Sequence, residues 1–192
     1  MTEVKGSIHV RVGPMFAGKS TYLLQQYRKY SRKYPTMIIK YKKDTRYSEE
    51  GIATHDQVIH FENVIICDKH IWNIKNETLP FRVICIEEGQ FYTGLVSFCE
   101  WLANQGKRVI IVGLDGDYTR SNFGEIHQLL PISESFKKIH AVCAIDNCNN
   151  AAAFTAMLPG NLIKENNELI GGSETYQAVC RFHHPLFKIK IN

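Results

Sequence analysis

The chain has 192 residues, 44% of them hydrophobic and 22% charged, the balance of an ordinary soluble globular protein with room for one substantial core. A formal net charge of +4 is too small to argue for a polyanion-binding protein on charge alone, and no apolar run is long enough to span a bilayer. Six cysteines behind "MTEVKGSIHV", which lacks the long apolar core of a signal peptide, point to reduced thiols acting as metal ligands or core residues and to a cytoplasmic location.

The first predicted strand is "SIHVRV" (7–12), and it runs into Gly13-x-x-x-x-Gly18-Lys19-Ser20. Glycines at those positions let successive backbone N–H groups approach phosphate oxygens, and the helix that follows adds the positive end of its dipole. Lys19 then neutralises the β/γ-phosphates and the Ser20 hydroxyl ligates Mg²⁺. The pattern is specific because it sits between a strand and a helix, as that chemistry requires.

The helix is predicted over 19–34, with Leu23, Leu24 and Tyr27 on one apolar stripe and Pro35 as its stop. "TMIIKY" (36–41) is the second strand. Arg28, Lys29, Arg32, Lys33, Lys40, Lys42, Lys43 and Arg46 form a basic stretch in which Asp44 is the lone acid. It reads either as a solvated helix face and charged loop or as a phosphate-facing wall.

"FRVICI" (81–86) is a third strand, apolar enough to be buried on both faces, and it ends in Glu87 and Glu88. Ligands of open α/β sheets bind at that carboxyl edge. Two acids there suit phosphoryl transfer, one in a metal shell and one taking the proton of an attacking hydroxyl. Successive residues of a strand face opposite ways, so the two acids take separate roles. "GLVSFCEWLANQG" (94–106) is a helix ended by Gly106, and "RVIIVGL" (108–114) a fourth strand. The alternation predicts an α/β fold: a P-loop parallel sheet with helices on both faces.

Near residue 140 the pattern changes to a turn-rich segment with cysteines at its edges. The expected division is a nucleotide-binding domain over 1–141 and a small stapled module over 142–192. Cys143-x₄-Cys148 and Cys180-x₂-His183 supply four ligands for a closed, structural zinc site, with His184 competing with His183 for the last place. Cys67, Cys85 and Cys99 lie in apolar surroundings and read as small core residues.

These features together resemble the type II (zinc-containing) thymidine kinases of animals, bacteria and large DNA viruses, over nearly the whole chain. "GPMFAGKST" resembles that family's P-loop, "IKYKKDTRYS" and "THDQ" its second loop and following motif, and "EEGQF" its carboxylate motif. "GLDGDYTRSNFG" is similar to its nucleoside-facing strand end, and "IGGSETYQAVCRFH" to its lasso and second zinc pair.

The resemblance implies ATP with Mg²⁺ as cofactor, structural zinc, a nucleoside substrate and a homotetramer, with no membrane or nucleic-acid partner. It implies that Gly13, Pro14, Met15, Phe16, Ala17, Gly18, Lys19 and Ser20 wrap the ATP phosphates, with Asp44, Arg46, Glu87 and Gln90 beside them. The resemblance likewise implies Glu88 as the general base toward the 5′-hydroxyl. Met15, Phe91, Leu114, Tyr118, Phe123 and Tyr176 line the base pocket, and Asn167, Glu168, Leu169, Ile170 and Gly171 hold the thymine edge by backbone hydrogen bonds.

Against that family's pattern, Glu87 stands where Asp is usual, and the first ligand pair has four intervening residues instead of two. His183 stands for Cys, and Tyr118 where Phe is common. Two rivals remain at this point: a non-catalytic nucleotide- or nucleic-acid-binding zinc-ribbon adaptor, and a kinase for another nucleoside.

Overall fold

The structure, a computed structural model, describes residues 5–42, 62–159 and 171–185, together with the backbone of 51–54 and 57–60. In chain order the elements are β1 (Ser7–Val12), α1 (Lys19–Ser31), β2 (Thr36–Tyr41), β3 (Gly51–Thr54), β4 (Gln57–His60), β5 (Val64–Cys67), β6 (Val83–Ile86), α2 (Leu95–Asn104), β7 (Arg108–Gly113) and β8 (Ser135–Lys138). The short strands β9 (Ala141–Val142), β10 (Ala151–Ala152), β11 (Phe154–Met157) and β12 (Tyr176–Val179) follow.

Six strands form one sheet in the order β5-β2-β6-β7-β1-β8, and every neighbouring pair is parallel. The remaining strands make three antiparallel ribbons, β3-β4, β9-β10 and β11-β12.

The sheet is parallel because its strands are apolar on both faces, and each face has its own cover. On one side Leu23, Leu24 and Tyr27 of α1 pack on Ile38, Val83, Cys85, Ile110 and Val112. On the other, Phe98 and Leu102 of α2 join Met37, Ile39, Ile84, Ile86, Val109 and Ile111. The two sets alternate along each strand, as a period of two requires. Phe98 is fully buried and meets Trp72 and Trp101 at ring-centroid distances of 5.2 and 6.0 Å. Phe98→Ala is expected to cost about 3–5 kcal/mol of unfolding free energy. Denaturant titration checks this, the midpoint falling at unchanged slope.

The sequence-based boundaries needed four corrections. Helix α1 stops at Ser31, short of the expected 34, and the chain turns with Lys33 and Tyr34 N–H groups both donating to the Tyr30 carbonyl. Pro35 disfavours the helical conformation in the residue before it, so the last turn cannot continue to it. Strand β6 begins at Val83, because Phe81 N–H closes a turn onto Thr78. Helix α2 spans Leu95–Asn104 between two glycines with φ near 78°, inside the expected 94–106. Strand β7 ends at Gly113, one residue early.

Strands β5 and β8 were not anticipated. They are the two sheet edges, short and partly exposed, so neither carries the apolar run by which the inner strands were read.

Beyond β8 the chain leaves the sheet, and β9 straddles the expected division at 141/142. The core of this segment is Cys143, Ala152, Ala156, Ala178, Val179 and Cys180. Side chains that small bury little apolar surface, which leaves the segment dependent on another source of stability.

Candidate functional site

Because all six strands run the same way, the chain leaves β1, β6 and β7 at one edge of the sheet. Register pairs Val12 with Gly113 and Ile86 with Ile111, so β7 lies between the other two. The glycine loop after β1 and the glutamates after β6 are therefore two strand spacings apart, about 10 Å.

The loop is shaped as an anion cradle. Gly18, in the left-handed conformation at φ 76°, precedes α1 and brings no side chain to cap it. The first-turn N–H groups of α1 are thus presented at the loop. Lys19 is nearly buried and curls back to donate to the Pro14 carbonyl at 2.6 Å, with its ammonium over the loop. Phe16 is also left-handed, at φ 61°, and exposed at the crest. Met15 and Pro14 are buried, and Ser20 is half-buried in the first turn.

Glu87 extends β6 by one residue, its N–H donating to Ile39 at 3.0 Å, and its side chain is buried. Glu88 then adopts the left-handed conformation (φ 50°, ψ 47°), which breaks the strand alternation and starts a tight turn at Gly89–Phe91. Gln90 donates from Nε2 to Glu88 Oε2 at 2.6 Å, and its Oε1 accepts the Leu114 N–H at 2.9 Å. Burial pushes the Tyr92 phenol well above its usual value, reinforced by Cys67, Glu87 and Glu88.

The aromatics expected to line a base pocket fall into two groups. Phe91 stacks on Tyr41 at 4.7 Å and meets Phe123 edge-on at 5.3 Å. Tyr118 and Tyr176 lie 6.5 Å apart, and burial, with Tyr118 and Asp117 beside it, pushes the Tyr176 phenol up. Leu114 is half-buried between the β7 end and these rings in sequence. Asp44, Arg46, Asn167, Glu168, Leu169 and Ile170 lie outside the described residues, as do His55 and Asp56 of the "THDQ" motif; Gly171 is described and buried.

The second cluster is built by the ribbons. The ligand atoms of Cys143, Cys148, Cys180 and His183 all lie within 4.8 Å of one another, and among the described residues this is the group able to hold a metal ion. His183 Nδ1 is 3.5 Å from both Cys143 Sγ and Cys180 Sγ. Burial alone would push the Cys143 thiol up, but N–H groups of Cys180 and Ile145 and contacts with His183 and Cys148 bring it down to about 6. The thiolate is thus the favoured form at neutral pH. His184, left open as a competitor, is buried elsewhere, edge-on to Phe154 at 5.7 Å. By contrast, burial pushes Cys67 up to about 12 and Cys85 and Cys99 higher still, as inert core thiols.

Three contributors escaped the sequence reading. Thr155 Oγ1 accepts the Met15 N–H at 3.0 Å across 140 residues, tying the ribbon β11-β12 to the glycine loop. Glu125 accepts the N–H groups of Gly94 and Val96 at 2.9 and 3.4 Å, capping α2. Neither has a local signal. Tyr41 did have one, since it ends a buried strand at the ligand edge.

Comparison with known proteins bears directly on this arrangement. The family model described as "Thymidine kinase" matches residues 6–184. The cytosolic thymidine kinase of Gallus gallus is 41% identical over 178 residues, 92% of this chain and 76% of that one. That of Homo sapiens is 41% identical over 94% of this chain and 74% of its own. The thymidine kinase of Rabbit fibroma virus is 39% identical over 94% of this chain and 97% of its own. A match that spans the glycine loop, the paired glutamates and the Cys₃His cluster alike leaves an adaptor without support: the chain belongs to the thymidine kinase family.

Proposed function

We propose that the chain transfers the γ-phosphoryl group of ATP to the 5′-hydroxyl of thymidine, and of deoxyuridine, giving the 5′-monophosphate. The observation that carries this reading is a carboxylate pair on the same sheet edge as a phosphate cradle, with an aromatic group beside it. Binding and positioning do most of the work in such a reaction.

In this reading residues 1–141 bind ATP and residues 142–192 form the zinc module, whose 167–171 loop covers the nucleoside. The backbone of Gly13 to Ser20 wraps the phosphates, and Lys19 swings from Pro14 to offset their charge. Asp44 and Arg46 stand beside the transferred group. Mg²⁺, when bound with ATP, would supply charge neutralisation for the phosphates. Ser20 would be its protein ligand, and Glu87 would order its water shell.

Glu88 accepts the proton of the 5′-hydroxyl as it attacks in line. Met15, Phe91, Leu114, Tyr118, Phe123 and Tyr176 enclose the base, and main-chain groups of the 167–171 loop read its polar edge. A pocket of fixed volume then limits what is tolerated at C5.

The Cys₃His cluster fits zinc on geometry. Tetrahedral bonds of about 2.3 Å to sulfur and 2.1 Å to nitrogen give a sulfur–nitrogen edge of about 3.6 Å. His183 Nδ1 stands 3.5 Å from two of the sulfurs. A cytoplasmic homotetramer completes the proposal. Its support is the family relationship; the described residues contain no helix long and apolar enough to cross a membrane.

The direct test is ATP consumption with and without thymidine: thymidine-dependent ADP is expected, and its absence from folded protein overturns the reading. A panel of other nucleosides separates thymidine from a different acceptor. Lys19→Ala is expected to weaken ATP binding about tenfold or more, the value of one charge-assisted hydrogen-bond set. Calorimetric titration checks it, and unchanged affinity would remove the phosphate role of the loop.

A further inference from the structure

Gln90 is buried, at 3% accessibility, and both ends of its amide are engaged. The Leu114 N–H can only be met by oxygen, so the amide is oriented with its nitrogen toward Glu88 Oε2. The slot that holds it is made by missing side chains. A Cβ on Gly113 would lie 2.5 Å from Gln90 Oε1, and one on Gly124 would lie 2.0 Å from the Gln90 carbonyl oxygen. Gly124 also has φ 62°, which a side chain would strain further.

The residue that Gln90 holds is itself strained. A left-handed Glu88 persists only where its surroundings over-determine it. A 2.6 Å bond from a buried amide to its carboxylate is one such constraint.

We propose that Gln90 is a positioning residue: it fixes the rotamer of the Glu88 carboxylate and ties it to Leu114 at the end of β7. The proposal rests on the reading of Glu88 as the base, and it moves Gln90 from the ATP phosphates to the acceptor side of the reaction. Glu87, Tyr92, Tyr41 and Cys67 are titratable groups in this neighbourhood, and the variants below leave all four in place.

Steady-state kinetics over the pH range of stable folding test the assignment with two variants. Gln90→Met keeps the length and removes both hydrogen bonds. Its kcat is expected to fall about 10- to 100-fold, the cost of a displaced reacting group, with KM for thymidine within about threefold. Gln90→Glu sets a second carboxylate against Glu88, and the rising limb of kcat/KM should move to higher pH by about one unit.

An amide that only packs would leave kcat of folded Gln90→Met near the parent value. Unchanged kcat in folded Gln90→Met, or an unmoved limb in Gln90→Glu, overturns the proposal. Should Gln90→Met fail to fold, the profile of Gln90→Glu decides. Normal turnover in Glu88→Gln would instead defeat the reading of the base. A slow Glu88→Gln beside unaltered Gln90 variants defeats only this inference.

Discussion

Glu88→Gln should reduce kcat by at least about 10²-fold while leaving thymidine and ATP affinities close to those of the parent chain. The amide keeps the volume and most of the hydrogen-bonding shape of the carboxylate but cannot take a proton. Gln90 Nε2, which donates to Glu88 Oε2, can turn to the amide oxygen of the variant, so the local turn at Gly89–Phe91 is expected to survive. Removing a group that acts only as the hydroxyl is deprotonated lowers kcat and kcat/KM together. Single-turnover phosphorylation with matched binding titrations gives both numbers. Parental turnover in that variant would leave the acid after β6 without a catalytic role.

Loss of the metal cluster should have the other large effect. Structural zinc contributes an apparent 10–16 kcal/mol in small domains, as much as the whole stability of many proteins. Among the described residues, the buried cluster around Cys143 and Cys180 adds three alanines and one valine to the cysteines. Cys180→Ala is therefore expected to abolish metal content, about one zinc per chain in the parent, and to unfold this segment while the six-stranded sheet persists. Elemental analysis and limited proteolysis within 142–185 report the two halves of the prediction. Activity should fall as well, because Thr155 is carried by the ribbon and its hydroxyl holds Met15 N–H in the glycine loop. Cys67→Ala, a change in the core of the six-stranded sheet, should keep its zinc. Parental zinc content and proteolytic resistance in Cys180→Ala would show that the ribbons stand without the cluster.

The two effects meet at the loop after β1. Its phosphate-facing side is set by local sequence, and its back is pinned by a residue from another part of the chain. Gly13 packs against Ile139, the residue after β8, while Met15 is held by Thr155 of β11. The glycine loop and the segment that carries the Cys₃His cluster are joined there, which is why a change some distance from the loop is expected to be felt in turnover.

How far the site was legible in sequence follows from how local each signal is. The glycine turn between strand and helix, the inner strands and the grouping of the cysteines were legible because their physics acts over a few residues. Backbone freedom at glycine, the two-residue alternation of a buried strand and the reach of two ligands on one turn are all written in neighbouring positions. Tyr27 and Leu23 announce a helix face for the same reason.

Tertiary structure alone decided the rest. The order β5-β2-β6-β7-β1-β8, with two edges that carry no apolar signature, depends on which strands find cover for both faces. The choice of His183 over His184 depends on which ring fits beside Phe154 and which reaches three sulfurs. The bonds of Gln90 to Glu88 and Leu114 depend on a slot opened by glycines from two other segments. Contacts between residues tens of positions apart are selected by close packing and by the cost of leaving buried polar groups unpaired, and neither quantity exists until the chain has folded.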